Sequence, residues 1–267
     1  MPAAIPRVEG LEGSDCLNGS AAKAPYMPDG AERADVWTPN NRRLPVDTEL
    51  WYGFSMLVSG EVRDDEPRLV VAQWKQSIEG SPIVAQRLTG KTFHITLEQD
   101  GRDGMECRVL LAYQHGREKP QPDSVLHDGL PVQMGVSGCA SQLEVRKADG
   151  SGGPAASLPD PFGGPCWIDM IYHLKGSSER NGSLGPDGLL EIWANGSAVV
   201  RAYGRIGFYS ADATQRRLYF KFGPYRDANV GRDYATVAYL DSFTRGSSYA
   251  EVDPAAFPGR KPAKMCQ

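Results

Sequence analysis

From Leu218 to Arg226 the chain reads Leu-Tyr-Phe-Lys-Phe-Gly-Pro-Tyr-Arg, and its alternation of apolar and polar side chains is that of a β-strand. Successive side chains on a strand point to opposite faces. Leu218, Phe220 and Phe222 therefore face a core, while Tyr219, Lys221 and, past a glycine, Tyr225 face the other way. A solvated strand face more often carries Thr, Ser, Glu or Lys without such an aromatic share. Two readings fit the row. It can line a groove for a ligand with carboxylates and sugar rings, with Tyr225 as the leading catalytic candidate. It can equally be an amphipathic strand with exposed tyrosines.

The same period recurs along the chain. Residues 50–58 form a strand with large side chains on both faces, as in the middle of a stacked sheet. In the strand 68–75, Gln73 and Lys75 share a face opposite Ala72 and Trp74. Both donate to an oxyanion, so carboxylate recognition competes with plain edge solvation there. In 92–98, Phe93, Ile95 and Leu97 face the core; Thr92, His94, Thr96 and Glu98 face out, and His94 reads as a solvated histidine. Cys107 to Tyr113 is a further strand. In 167–174, His173 shares a face with Trp167, Asp169 and Ile171, where a hydrogen-bonded structural histidine is the more common case. Asn195-Gly196 between two β-rich runs predicts a type I′ hairpin turn, and 234–243 closes the sheet. Residues 114–165 read as a long loop at the rim of the groove.

Thirty glycines and twenty prolines in short clusters indicate turns rather than long helices. Many short strands without convincing helices predict two stacked antiparallel sheets, an all-β jelly-roll sandwich with a concave inner sheet. We assign residues 1–30 to an extended arm, 31–250 to the sandwich and 251–267, with Pro254, Pro258 and Pro262, to a surface strap. The net charge of −4 gives no bulk attraction to nucleic acid or to a membrane surface, although a basic groove can sit on an acidic protein. No apolar run is long enough to span a bilayer. The first residues lack a signal-peptide pattern, so either the protein is cytosolic or a secretion signal has been removed.

Five cysteines leave one over. Cys16 and Cys266 lie near termini that often meet, and are expected to bridge. Cys139 and Cys166 bracket a Gly/Pro/Ser-rich insertion and can staple it; Cys107 reads as a buried thiol. Two disulfides imply an oxidising compartment, hence a secreted or periplasmic protein. No spacing suggests zinc; no motif indicates a cofactor, and a structural calcium ion stays open.

Taken in order, Arg33-Ala-Asp35, Trp51 to Ser55, Gln73-Trp-Lys75, Trp167 to His173, Glu191 to Gly196, and Tyr219 to Tyr225 resemble the β-jelly-roll polysaccharide lyases. The likeness is to the glucuronan-lyase and heparin-lyase-like group, and more distantly to jelly-roll alginate lyases. It spans about residues 31 to 245, and its most specific parts are the Tyr-Phe-Lys-x-Gly-x-Tyr block and the Trp-x-Asn-Gly hairpin. The resemblance implies β-elimination on a uronic-acid polymer by a monomer. Gln73 and Arg33, assisted by Lys75 or Lys221, would neutralise the sugar carboxylate as charge builds. Tyr225 occupies the family position for a residue that both takes the C5 proton and protonates the leaving O4. A phenol of pKa about 10 is a poor base at neutral pH, so Lys221 and Arg226 are expected to lower it.

Relatives often show Gln-x-His where this chain has Lys75. His173 or His94 would then bring an imidazole from another strand. Tyr219, Arg226 and His94 complete the expected substrate contacts. Two other classes compete with the lyase. A non-catalytic carbohydrate-binding jelly roll would keep the aromatic groove and lose the proton-transfer pair. A jelly-roll glycoside hydrolase needs two facing carboxylates, and Glu191 and Glu98 form no evident pair.

Overall fold

We describe a computed structural model covering residues 32–33, 36–38, 40–64, 69–78, 80–100, 106–118, 126–127, 130–131, 133–134, 143–226, 236–257 and 264–267. The first strands are β1 (Glu32–Arg33), β2 (Val36–Trp37), β3 (Leu44–Pro45), β4 (Leu50–Gly60), β5 (Leu69–Gln76), β6 (Val84–Thr89), β7 (Thr92–Asp100) and β8 (Glu106–Gln114). Next come β9 (Leu126–His127), β10 (Leu130–Pro131), β11 (Gln133–Met134), β12 (Leu143–Lys147) and β13 (Ala155–Leu158). The last are β14 (Ile168–Lys175), β15 (Glu179–Arg180), β16 (Ser183–Leu184), β17 (Gly188–Ala194), β18 (Ser197–Gly204), β19 (Arg217–Arg226) and β20 (Thr236–Gly246). A single helical turn, α1 (Tyr249–Val252), follows.

Among the described residues the strands form two large sheets packed as a sandwich. The first runs β1-β19-β5-β6-β7-β8-β11, with β2 and β3 also on β19 and β13 on β8. The second runs β12-β18-β17-β14-β4-β20. Neighbours are antiparallel except β11 and β13, which lie parallel to β8. The stretch read as a loop over 114–165 thus contains β12, which extends the second sheet, and β13, which extends the first.

Alternation explains the sandwich. Phe93, Ile95 and Leu97 of β7 are wholly buried between the sheets. An aromatic pile fills the centre: Trp74 lies 4.1 Å from Tyr172 and 4.9 Å from Phe220, and Phe54 lies 5.5 Å from Phe220. Such contacts add to plain area burial. The Tyr172 hydroxyl accepts from the Gln86 amide across the core at 2.7 Å, which satisfies a buried polar atom. Burial drives the phenols of Tyr52 and Tyr172 far above their ordinary pKa. The turn between β17 and β18 has positive φ at both Asn195 (49°) and Gly196 (77°), the geometry of the expected type I′ hairpin.

The cysteine pairing at the C-terminus departs from the expected one. Cys266 is bonded to Cys166, not to Cys16, and Cys166 is therefore not available to Cys139. Two features set this pairing: Met265 bridges Trp167, and Asn195 Nδ2 donates to the Cys266 carbonyl at 2.8 Å. Cys16, Cys139, Pro258, Pro262 and the arm of residues 1–30 lie outside the described residues, as does the side chain of Cys107. Helix α1 packs on the outer face of β4, where a Cβ on Gly53 would fall on the Val252 carbonyl. Gly53→Ala is therefore expected to destabilise the fold by about 1–3 kcal/mol. Urea denaturation of the variant measures this, and the expected lower midpoint comes with an unchanged slope.

Candidate active site

Strands β19 and β5 present the expected site residues on one face because their inner side chains are locked in the core. Phe220 and Trp74 point inward, and their neighbours must point outward. In the ladder Lys221 stands directly opposite Gln73, and Tyr219 opposite Lys75. Farther along, the register shifts between Phe222 and Tyr225 and, on β5, between Val70 and Ala72. Val71 and Ala72 both belong to the core, so this bulge turns Val70 outward, and Tyr225 pairs with it. Gly223, at a φ of 131°, takes a conformation that suits glycine. Gln73, Lys75, Tyr219, Lys221 and Tyr225 thus share one outer face of the first sheet.

The sheet continues that face into β6, β7 and β8. Arg87 pairs with His94, Thr96 with Leu110, and Glu98 with Arg108. Here the expectation of a solvated face is overturned: His94 is 4 % exposed and Thr96 and Glu98 are 0 %. Arg87 and Arg108, themselves buried, pack against Glu98 on this β7 side of the face. Lys75, Lys221 and Tyr225 on the β5 and β19 side are only half-buried.

Arg87 and Arg108 were not read from the sequence. Both ion-pair with Glu98, Arg108 Nε at 2.9 Å, and Arg87 Nε also donates to Thr96 Oγ1 at 2.9 Å. Burial pushes the Glu98 carboxyl up, but the two guanidinium charges and their hydrogen bonds prevail and hold it below its ordinary value. The signal was available in principle: Val84, Gln86 and Leu88 alternate inward, which places Arg87 outward beside a strand that carries Glu98.

His94 is shaped by the same cluster. Burial lowers its imidazole to about 3; the Thr92 carbonyl, 3.2 Å from Nδ1, opposes this, and the Arg87 and Arg108 charges add to it. The ring is neutral at neutral pH, with Nδ1–H donating to Thr92 and Nε2 left as an acceptor. Only β6 separates β7 from β5, so His94 stands about 10 Å across the sheet from the Gln73 strand.

The remaining candidates divide. Arg33 on β1 is in register with Tyr225, and Arg226 with Leu69; the side chains of both, and Asp35, lie outside the described residues. His173 stands on the other sheet. Its neighbour Tyr172 points into the core, so His173 points to the outside of the second sheet. There it stacks on Trp51 at 4.0 Å and contacts Glu191 and Glu49, each at 2.7 Å. Glu191 is on that same sheet and ion-pairs with Arg201, so it does not face Glu98.

The Lys75 ammonium donates to the Gly80 carbonyl at 2.6 Å. The guanidinium of Arg43, just before β3, lies 4.0 Å over the Tyr219 ring, and the Lys221 ammonium lies 5.3 Å from the same ring. Among the described side chains of this face, the cations Arg43, Lys75, Arg87, Arg108, Arg217 and Lys221 stand against the carboxylate of Glu98. A protein of net charge −4 therefore presents a positive face here. No group of three or more metal-ligating side chains occurs among the described residues. No helix among them is long and apolar enough to cross a membrane.

A family model described as polysaccharide lyase matches residues 9–244. No curated protein matches. Among solved structures, alginate lyase A1-II′ of polysaccharide lyase family 7 aligns with 12 % identity over 85 % of this chain and 74 % of its own, with a TM-score of 0.44. An alginate lyase from Corynebacterium sp. aligns with 12 % identity over 81 % and 69 % and a TM-score of 0.39. One from Alteromonas sp. 272 gives 10 %, 82 % and 81 %, and 0.40.

Because His94 is neutral when folded and charges when unfolded, the unfolded state binds more protons below the ordinary histidine value. Stability is then expected to fall as pH drops from about 6.5 toward 4.5, before the carboxylates titrate. Melting temperatures of wild type and His94→Gln across that window test this, and the variant should show a flatter slope.

Proposed function

The chain belongs to the polysaccharide lyase family, and from that premise we propose that it cleaves a uronic-acid polymer, glucuronan-like or alginate-like, by β-elimination on the outer face of β19 and β5. The observation that carries this reading is the ladder pair of Gln73 and Lys221, with Tyr225 on the same face.

Elimination breaks the C5–H and C4–O4 bonds and forms a C4–C5 double bond, with no water consumed. Removing a proton beside a carboxylate piles a second negative charge on the sugar, so donors must meet it. The Gln73 amide N–H and the Lys221 ammonium act on the carboxylate oxygens from two adjacent strands, with Arg33 from β1 assisting. Tyr225 takes the C5 proton as a phenolate and returns it to O4, the two sites lying on one side of the ring in a syn elimination.

Lys75 is assigned to substrate binding. Its Nζ donates to the Gly80 carbonyl at 2.6 Å, which anchors it beside the Gln73 strand. His94 supports the site from within the sheet, through the charged cluster beneath the groove, and His173 has no part in the chemistry on this reading. The excess of cations favours an anionic polymer over a neutral one. The Cys166–Cys266 disulfide accords with a secreted or periplasmic enzyme.

Incubation with a panel of polyuronates, followed by the ultraviolet absorbance of unsaturated uronate ends, tests the reading. Tyr225→Phe is expected to abolish product formation with circular dichroism unchanged. Gln73→Ala and Lys221→Ala are each expected to lower kcat by about 10²–10³-fold, as for loss of one oxyanion donor. Full activity in Tyr225→Phe contradicts the proton-transfer assignment.

A further inference from the structure

We infer that Arg43 is a specificity-determining residue, binding the carboxylate of the sugar next to the one that is cleaved. The inference rests on the polyuronate reading above and extends it along the polymer. Arg43 follows the turn Asn40–Arg42 and leads into β3, which pairs Leu44 with Leu218 of β19. That pairing delivers its side chain beside Tyr219, one outward position along β19 from Lys221 and on the side away from Tyr225. Outward positions on a strand are about 7 Å apart. A cation there is offset from the Gln73–Lys221 pair in the direction of the strand.

The guanidinium is held rigidly. Its main-chain carbonyl accepts from Arg217 Nε at 3.1 Å. Its Nη1 donates to Ser77 Oγ at 3.1 Å, and Ser77 Oγ donates to the Arg217 carbonyl at 3.2 Å. Its Cζ lies over the Tyr219 ring, whose negative π-face also attracts Lys221 and so lets two cations sit close together. Tyr219 thereby acts as a positioning residue, aligning two charges.

What Arg43 lacks is an anion. No carboxylate pairs with it among the described residues, and neither Nε nor Nη2 has a hydrogen-bond partner there. Partial burial lowers its pKa, with the Tyr219 phenol opposing. Holding a half-buried cation rigid without a counter-charge costs stability. A sugar carboxylate reaching Nη2 supplies that charge through one charge-assisted hydrogen bond. The site therefore takes at least two adjacent acidic sugars.

The test compares wild type, Arg43→Ala and Arg43→Lys on a polyuronate and on the same polymer partly methyl-esterified, with affinity electrophoresis in polyuronate gels alongside. Arg43→Ala is expected to raise KM roughly tenfold with kcat changed by no more than about twofold, the loss of one charged hydrogen bond. Arg43→Lys should recover little, since an ammonium cannot hold the Ser77 contact and lie over Tyr219 while also meeting the carboxylate. The difference between wild type and variants should shrink on the esterified polymer. Gel retardation should weaken in both variants. Wild-type KM and retardation in both variants, or an equal loss on esterified and free polymer, overturns the inference. Wild type that is retarded but cleaves no polyuronate, with retardation lost in Arg43→Ala, contradicts the eliminative reading and leaves Arg43 as a carboxylate contact. Wild type that is neither retarded nor active overturns both.

Discussion

The structure depends on the interlock of Trp74 and Phe220 with Tyr52, Phe54 and Tyr172 of the opposite sheet. These side chains come from β5 and β19 on one side and β4 and β14 on the other. Their packing fixes how β5 and β19 align, because a slip by one residue would turn Phe220 to the outside and Lys221 into the core. The ladder that places Gln73 opposite Lys221 is thus a consequence of the hydrophobic core. Preorganised donors need a rigid support, and a sheet whose far side is an aromatic pile provides one.

Electrostatics follow from the same support. On a chain with more acidic than basic residues, the outer face of the first sheet gathers guanidinium and ammonium groups. Glu98 neutralises only part of this charge, and does so from complete burial. Burying such a cluster is expensive, and breaking it by removing one partner costs more than never having built it. The cluster therefore fixes β6, β7 and β8 to one another while leaving a surplus of positive charge. The neutral imidazole of His94 belongs to this arrangement, since adding a proton there would place another cation beside Arg87 and Arg108.

Much of this was legible in the residues. The alternation from Leu218 to Arg226 placed Tyr219, Lys221 and Tyr225 on one face, and Gln73 with Lys75 followed from Trp74 in the same way. Asn195-Gly196 announced its turn, because few other pairs accept positive φ twice. What failed to read was anything set by contacts between distant strands. His94, Thr96 and Glu98 alternate as a solvent face would, and only the elements around them make that face buried. The bulge at Val71, between β5 and β6, has no sequence signature, yet it turns Val70, the ladder partner of Tyr225, to the outer face. Cys266 shows the same limit: its partner was decided by the Asn195 amide and the Trp167 bridge, which bring the last residues beside Cys166. His173 alternates correctly on its own strand; which sheet that strand joins is a matter of topology.

On the proposed function, one face of β19 and β5 receives the acidic sugar. A crystal structure of the Tyr225→Phe protein with a short uronate oligosaccharide tests it most directly. The expected result is a sugar carboxylate within hydrogen-bond reach of both the Gln73 amide and the Lys221 ammonium, with the sugar's C5–H and O4 turned toward residue 225. An oligosaccharide seated on the second sheet, or one whose carboxylates turn away from Gln73 and Lys221, would contradict it.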